Sequence, residues 1–200
     1  MTQQQAAADG DDPVSILVMS LKEREMKEVE TLFSSFEAFG SCTVATKLLQ
    51  RSQLRGFKWE DAQRHQLVVI VHRNEGRVLL TDRNGFYNDV LAQAWKHCGG
   101  HVLLILTKAP VDNELFDEKL IRNLADGGGQ PTTGVLSDMG RVLTWDSEPS
   151  KEQQKHLASL VTSAADGEDP MAAHEGFLDK LPPDWTKVDA APLFQRCNIL

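Results

Sequence analysis

The stretch QLVVIVH at residues 66–72 decides the fold class of this chain. It is an unbroken run of aliphatic, largely β-branched residues, which is typical of a strand buried on both faces of a parallel sheet. The runs PVSILVMS at 13–20 and HVLLILT at 101–107 have the same character. Because such strands need helices on both sides, we expect an α/β fold.

Helical patterns lie between these strands. From Lys22 the apolar residues recur at helical spacing as far as Gly40, and a second such pattern runs from Phe86 to the glycine pair at 99–100. SCTVATKLL at 41–49 predicts one more strand, and the connection after it has room for a helical turn. The alternation predicts a three-layer sandwich, with a mostly parallel sheet and helices on both faces.

Further elements follow the strand at 101–107. Asp112 is a candidate N-cap for a helix that starts near Asn113. GVLSDMGRVLTW at 134–145 indicates one interrupted strand or a tight hairpin. Ser150 and Gln153 have the spacing of a capping box and predict the start of a last helix.

Composition divides the chain into three parts. Residues 1–12 are predicted to be disordered, and residues 13–164 form the α/β domain. Residues 165–200 contain four prolines and no sustained periodicity, so we expect an extended tail that ends in a prenylation signal. One apolar patch in this tail, GFLDKLPPDW at 176–185, is a candidate for docking on the domain.

Charge and cysteine content limit the function classes. The formal net charge is −8 and no run of lysines or arginines is present, so a nucleic-acid partner is not expected. The apolar runs are far shorter than the about 20 residues of a membrane-spanning helix. The N-terminal residues lack the features of a signal peptide, and Thr2 excludes N-myristoylation. Three cysteines give no regular disulfide framework, so we expect a cytoplasmic protein.

One segment resembles the middle of a Ras-like small GTPase. In QLVVIVHRNEGRVLLTDRNGFYND at 66–89, Asp82 and Gly85 have a DxxG spacing and precede a helix. The resemblance implies a nucleotide-binding fold. However, SLKEREMKE at 20–28 has no glycine for a phosphate loop, and Pro110 stands where the base-reading motif needs an aspartate. The motif fragments therefore do not predict a working GTPase.

The same segment is similar to part of a caspase-type fold, in which a histidine follows a central strand. His72, Gly76, Thr81 and Asp82 have that arrangement. The family's nucleophile is a cysteine just after the next strand, where this chain reads TKAPV, while Cys98 precedes that strand. The resemblance implies a caspase-like relative without catalytic activity.

Other chemical patterns have structural explanations at least as good. HCGGH at 97–101 offers zinc ligands, but its glycines separate a helix end from a strand start. The glycines at 127–129 could approach a phosphate, although we expect a loop after a helix. His72 is interpreted as a structural histidine rather than a base. The tryptophans are interpreted as core and docking residues: Trp59, Trp95, Trp145 and Trp185.

The last four residues, CNIL, resemble the CaaX box of prenylated proteins. Guanylate-binding proteins end in similar tetrapeptides, although Asn198 departs from the strict pattern. The resemblance implies a lipid on Cys197, and Leu200 favours geranylgeranyl over farnesyl. It also implies a prenyl transferase and a prenyl-binding carrier as partners. Because the last 36 residues hold seven acidic side chains, we expect reversible membrane attachment.

We therefore predict a cytoplasmic, non-catalytic adaptor or regulatory domain that binds a protein partner at a membrane surface. Its only predicted site residue is the lipid acceptor Cys197, and no catalytic, cofactor-binding or metal residue is assigned. The alternative is an enzyme or degenerate GTPase-like enzyme on the same fold. It would bind a nucleotide or phosphorylated ligand through the loops at 107–113 and 126–134.

Overall fold

The computed structural model describes residues 13–35, 39, 41–59, 64–75, 85, 87–170, 172 and 174–186. In this part of the chain, five strands form one all-parallel sheet. They are β1 (Val14–Ser20), β2 (Cys42–Leu48), β3 (Leu67–Arg73), β4 (Val102–Thr107) and β5 (Val142–Trp145). The predicted α/β class and parallel sheet are confirmed.

Seven α-helices lie among the described residues. They are α1 (Glu23–Ser35), α2 (Arg51–Leu54), α3 (Asn88–His97), α4 (Glu118–Arg122), α5 (Pro131–Asp138), α6 (Lys151–Ala165) and α7 (Pro183–Thr186). A π-helical turn spans Asn123–Gly127 and a 3₁₀-helix spans Glu175–Lys180. None of the described helices is long and apolar enough to cross a bilayer.

The strand order is β2-β1-β3-β4-β5. From β1 the chain first moves outward to β2 and then returns to the other side of β1 to form β3. This reversal makes a topological switch point between β1 and β3. In doubly wound sheets a crevice opens there, at the carboxyl ends of the strands.

Two apolar layers cover the sheet. On one face, Val18, Val69 and Ile105 pack in a cluster with side chains of α1 and α6, including Phe33 and Leu157. On the other face, strand residues pack against α3, α5 and the segment that ends in α7. Successive residues of a strand point to opposite faces of the sheet, so each central strand is apolar throughout. Helices on both faces complete the three-layer sandwich.

The expected helix near Asn113 begins later than the sequence predicted. Asn113 Oδ1 accepts hydrogen bonds from the backbone N–H groups of Leu115 and Phe116, both at 2.7 Å. α4 starts at Glu118 with Asp117 as its N-cap, while Asp112 Oδ1 accepts a bond from the Glu118 N–H. The side chains of Asp and Asn bind the backbone locally, so they hold a loop here instead of opening a helix.

The expected strand or hairpin at 134–145 is wrong in its first half. Pro131 occupies the first turn of α5, which runs to Asp138, and only Val142–Trp145 is a strand. Gly140 ends the helical part with a φ of +66°, which suits glycine. The apolar Val135 and Leu136 suggested a buried strand, but they are buried from a helix.

The patch at 176–185 docks on the domain. Trp185 is fully buried, its ring centroid lies 5.8 Å from that of Trp95, and its Nε1–H donates to Asn88 Oδ1 at 3.2 Å. Leu181 is also buried in the same apolar cluster. The region from residue 165 therefore includes packed helical turns as far as Thr186, in place of a wholly extended tail. The predicted disorder of residues 1–12 lies outside the described residues.

Candidate functional site

A cleft of about 400 Å³ opens at the switch point between β1 and β3. The residues that line it are Ser20, Leu21, Lys22, Leu49, Arg51, His72, Arg73 and Glu75. They come from the carboxyl ends of β1, β2 and β3, which a parallel sheet brings to one edge. This cleft is the best candidate for a functional site, because charged side chains from three strands converge there.

An ion pair between a buried glutamate and a partly exposed arginine lies at the helix end beside the cleft. Glu25, the third residue of α1, is only 4% exposed, and its Oε1 lies 3.0 Å from Arg73 Nη1. Burial is the largest single effect and raises the pKa of Glu25, but the hydrogen bond from Arg73, a backbone hydrogen bond and the charges of Arg73 and Lys22 together outweigh it, so the pKa is lowered and the carboxylate is charged. Arg73 also pairs with Glu75.

This ion pair decides what the helix end can bind. The N-terminus of a helix attracts anions because its first N–H groups are unpaired. In α1 the protein's own Glu25 carboxylate supplies that anion, and Arg73 neutralises it. A phosphate bound at this helix end would have to displace the buried Glu25 carboxylate from Arg73.

His72 stands at the carboxyl end of β3, as the sequence predicted. Its Nδ1 lies 3.0 Å from the Tyr87 hydroxyl and shares a hydrogen bond with it, and Tyr87 is fully buried. Burial, with the Arg51 cation as a second cause, lowers the pKa of His72 to about 4. The ring is therefore uncharged at neutral pH, and its fixed contact with Tyr87 agrees with a structural role.

The described thiols lie at the amino ends of the strands, opposite the cleft. Cys98 follows α3 and precedes β4, with its Sγ 3.0 Å from the carbonyl oxygens of Ala94 and His101. Burial raises its pKa to about 12, so the thiol is not ionised at neutral pH. Cys42 opens β2 at the same end of the sheet, and burial raises its pKa too. The expectation that Cys98 precedes its strand, whereas a caspase-type nucleophile follows it, is confirmed.

The loop after β4 is tied to β5. The Thr144 hydroxyl donates to the Pro110 carbonyl at 2.6 Å, and the Ala109 N–H donates to the Trp145 carbonyl at 3.3 Å. Lys108 has a φ of +59° and lies 3.6 Å from an Asp146 carboxylate oxygen. These bonds turn the TKAP segment toward the neighbouring strand, so it has a structural part in closing that side of the sheet.

The glycines at 127–129 join the π-helical turn to α5. The Gly128 N–H donates to the Asn123 carbonyl at 2.7 Å, and a Cβ at Gly128 would lie 2.8 Å from the Leu124 carbonyl oxygen. Glycine is therefore required by this close backbone approach. The sequence analysis expected a loop after a helix. The glycines do follow a helical turn, but they also lead into α5, which the sequence analysis did not predict.

The side chains of HCGGH have separate structural partners. His97 Nε2 accepts a hydrogen bond from the His65 N–H at 3.1 Å, and its ring stacks on Trp59. His101 Nε2 donates to the Glu168 carbonyl at 2.9 Å. Among the described residues, no three His, Cys, Asp or Glu side chains are grouped so that they could hold a metal ion.

Several predicted positions lie outside the described residues. They are Gly76, Thr81, Asp82 and the lipid acceptor Cys197.

In the cleft and at the helix end beside it, sequence analysis named His72 but missed Glu25, Arg51 and Arg73. One signal for Glu25 was present, since this acid stands directly beside Met26 on the apolar side of a helical pattern. Its pairing with Arg73, 48 positions away, depends on the packing of β3 against β1.

The chain matches no protein-family model and has no significant match among curated proteins.

Proposed function

We propose that this chain is a non-catalytic protein-binding domain, of an adaptor or regulatory kind, that a geranylgeranyl group on Cys197 attaches reversibly to membranes. The observation that supports the non-catalytic assignment is the ion pair between the buried Glu25 and the partly exposed Arg73. The protein's own charges pair at the helix end beside the position at which doubly wound α/β proteins bind charged ligands. This arrangement favours a surface that binds a macromolecule over a pocket that turns over a nucleotide.

The chemistry around His72 supports the same proposal. Cleavage by a cysteine requires a thiol within hydrogen-bond reach of its base. Here the base candidate is bonded to Tyr87 and has a pKa lowered to about 4, which makes it a weak base, and the Cys98 thiol lies at the amino ends of the strands, opposite His72. A residue pair of that kind cannot form a thiolate nucleophile.

The membrane half of the proposal depends on the tetrapeptide CNIL. One prenyl chain gives reversible binding, because each buried CH₂ contributes about 0.8 kcal/mol and the acidic tail opposes contact with anionic lipids. A cytoplasmic protein that exchanges with membranes would meet its protein partner at the membrane surface. A prenyl transferase and a prenyl-binding carrier would be its processing partners.

Two measurements test the lipid. The intact mass of protein purified from eukaryotic cells should include a geranylgeranyl group, and Cys197→Ser should remove it and leave the protein wholly in the cytosolic fraction. Leu200→Ser is the matched variant, because it keeps the cysteine and should shift modification to farnesyl. An unmodified mass, with identical fractionation of wild type and Cys197→Ser, would contradict this half.

Turnover assays test the proposal that the domain is non-catalytic. We expect no hydrolysis of GTP, ATP or peptide substrates by the full chain. Turnover that is abolished by His72→Ala or Asp82→Ala would overturn the non-catalytic assignment and place a real active site at β3.

A second candidate is a site for a nucleotide or small phosphorylated ligand. The specific observation is that Lys22 and Arg51 line the cleft, and neither forms a salt bridge with a described residue. Calorimetry with GTP, ATP and inorganic phosphate separates the two candidates. Binding that is lost in Lys22→Ala but kept in the exposed control Lys119→Ala would favour this second function.

A further inference from the structure

The two outer edges of the sheet differ in how they are covered. At β5, the Thr144 N–H donates to the Leu115 carbonyl at 3.1 Å, and the Thr144 carbonyl accepts from Gln153 Nε2 at 2.6 Å. The same Gln153 amide also donates to the Leu115 carbonyl at 2.6 Å. The loop before α4 and the first turn of α6 therefore protect this edge.

β2 forms the other edge, and its outer side is open within the described part of the chain. Two backbone hydrogen bonds lie at the ends of its pairing with β1. The Val14 N–H donates to the Ser41 carbonyl, and the Leu49 N–H donates to the Ser20 carbonyl. By alternation, the odd-numbered residues of β2 face β1. The backbone groups that face outward belong to Cys42, Val44, Thr46 and Leu48, and none of them has a backbone partner among the described residues.

β2 also lacks the usual protection of an edge strand. Such strands are commonly short, bulged, or marked by proline and outward charges. β2 pairs with β1 over seven residues in continuous register and contains no proline. Its one charged side chain, Lys47, lies over the ring of Phe57 at 5.3 Å from the centroid, and Leu48 is 49% exposed.

The segment around this edge is basic, although the chain as a whole has a net charge of −8. Residues 41–59 contain four cations and no acidic residue. The cations are Lys47, Arg51, Arg55 and Lys58. The last three are exposed, and none of the four forms a salt bridge with a described residue. The ring of Phe57, which directly precedes Lys58, lies under the ammonium group of Lys47 on β2, so positive charge lies beside the open edge, whereas Arg51 lines the cleft between β1 and β3.

We propose that β2 binds an extended acidic segment of a partner protein as a sixth strand. The outward backbone groups of β2 would form the ladder, and carboxylates of the partner would meet Arg55 and Lys58. A second copy of this chain fits less well, because it would present its own basic segment. Membrane contact would leave the outward backbone groups unused. The inference depends on the proposed protein-binding function and names its site and the chemistry of its partner.

The test uses the full chain and two fluorescein-labelled ten-residue peptides, one alternating valine with glutamate and one alternating valine with lysine. Thr46→Pro removes an outward N–H without removing a bond to β1, and Thr46→Ala is its matched control. Arg55→Glu with Lys58→Glu reverses the charge. Its matched control is Lys119→Glu with Lys151→Glu, at exposed positions elsewhere. Circular dichroism melts check that each variant folds. If Thr46→Pro does not fold, the charge variants still test the proposal.

Fluorescence anisotropy should show that the wild type binds the glutamate peptide and not the lysine peptide. Binding should fall by roughly ten-fold or more in Thr46→Pro and by roughly ten-fold in the Arg55 and Lys58 double variant. It should be unchanged in both controls. Equal binding of the two peptides, or full binding by folded Thr46→Pro, would overturn the proposal.

Two further results would show that the outer side of β2 binds a second copy of the chain or a membrane, and either would overturn the proposal. One is a dimer, seen by sedimentation equilibrium, that Thr46→Pro dissociates. The other is binding of phosphatidylserine vesicles that needs Arg55 and Lys58 but not the Thr46 N–H, with no binding of either peptide. If folded Thr46→Pro keeps a partner captured in cells, this edge is excluded while the proposed protein-binding function stands. Turnover by the wild type would contradict that function instead.

Discussion

Replacing Trp185 by alanine tests whether the segment after α6 is part of the folded domain. Trp185 belongs to α7 and is fully buried against α3, beside the ring of Trp95, and its Nε1–H donates to Asn88 Oδ1 at 3.2 Å. A side chain with these contacts contributes to folding in the same way as a core residue. A residue in an extended tail would contribute almost nothing.

The size of the effect follows from the buried area. A tryptophan removes about 200 Å² from water, and at roughly 25 cal/mol per Å² this amounts to about 5 kcal/mol as an upper value. Substitution of a buried tryptophan by alanine typically costs about 3–5 kcal/mol. In a domain of this size each kcal/mol shifts the melting temperature by about 2–4 °C. Trp185→Ala should therefore lower the melting temperature by about 10 °C.

Urea unfolding followed by circular dichroism measures this loss directly. Trp185→Phe keeps the aromatic ring but removes the donor to Asn88, so it should cost less, about 1–2 kcal/mol. Asp179→Ala, at an exposed position of the same segment, is the matched control and should change stability by less than about 0.5 kcal/mol. A Trp185→Ala protein as stable as the control would refute the packing of this segment on α3.

Three other predictions address the sheet, the ion pair and the thiol. Leu104→Asp should give no cooperatively folded protein, since Leu104 is fully buried at the centre of the sheet; a soluble variant with a sharp thermal transition would contradict the three-layer architecture. The lowered pKa of Glu25 stabilises the fold above the unfolded-state pKa of about 4.3, so the melting-temperature advantage of wild type over Glu25→Gln should be full at pH 6 and shrink as the pH falls through the lower folded-state pKa. An advantage that stays constant down to pH 3 would exclude the ion pair as its source. Cys98, whose pKa is about 12, should resist iodoacetamide at pH 8 in the native protein and react in urea, as peptide mass mapping would show; rapid native labelling would contradict its burial.

Some elements were predictable because their signal is local. The capping box of Ser150 and Gln153 is present at α6, where the Ser150 hydroxyl accepts from the Gln153 N–H at 3.2 Å. α3 ends before the glycine pair at 99–100, both of which have positive φ. In each case the residues that set the boundary lie within a few positions of it.

The candidate site was less predictable, because its parts are distant in sequence. His72 could be placed at a strand end, but its partner Tyr87 and the pair of Glu25 and Arg73 depend on which elements pack together. The open edge at β2 is of the same kind. Nothing within 42–48 marks it as an outer strand, since its exposure results from the order of the strands.

The sequence by itself determined that the chain forms buried parallel strands with helices between them, because apolar periodicity and helix caps act over a few residues. It also placed the histidine at a strand end and the cysteine before its strand. Only the tertiary structure decided that the chain reverses direction between β1 and β3, that Arg73 pairs with Glu25 beside the resulting crevice, and that, within the described part of the chain, β5 is covered while β2 is open. The physical reason is that strand order and long-range ion pairs are fixed by how the two faces of the sheet are buried as a whole, which no short segment of the sequence encodes.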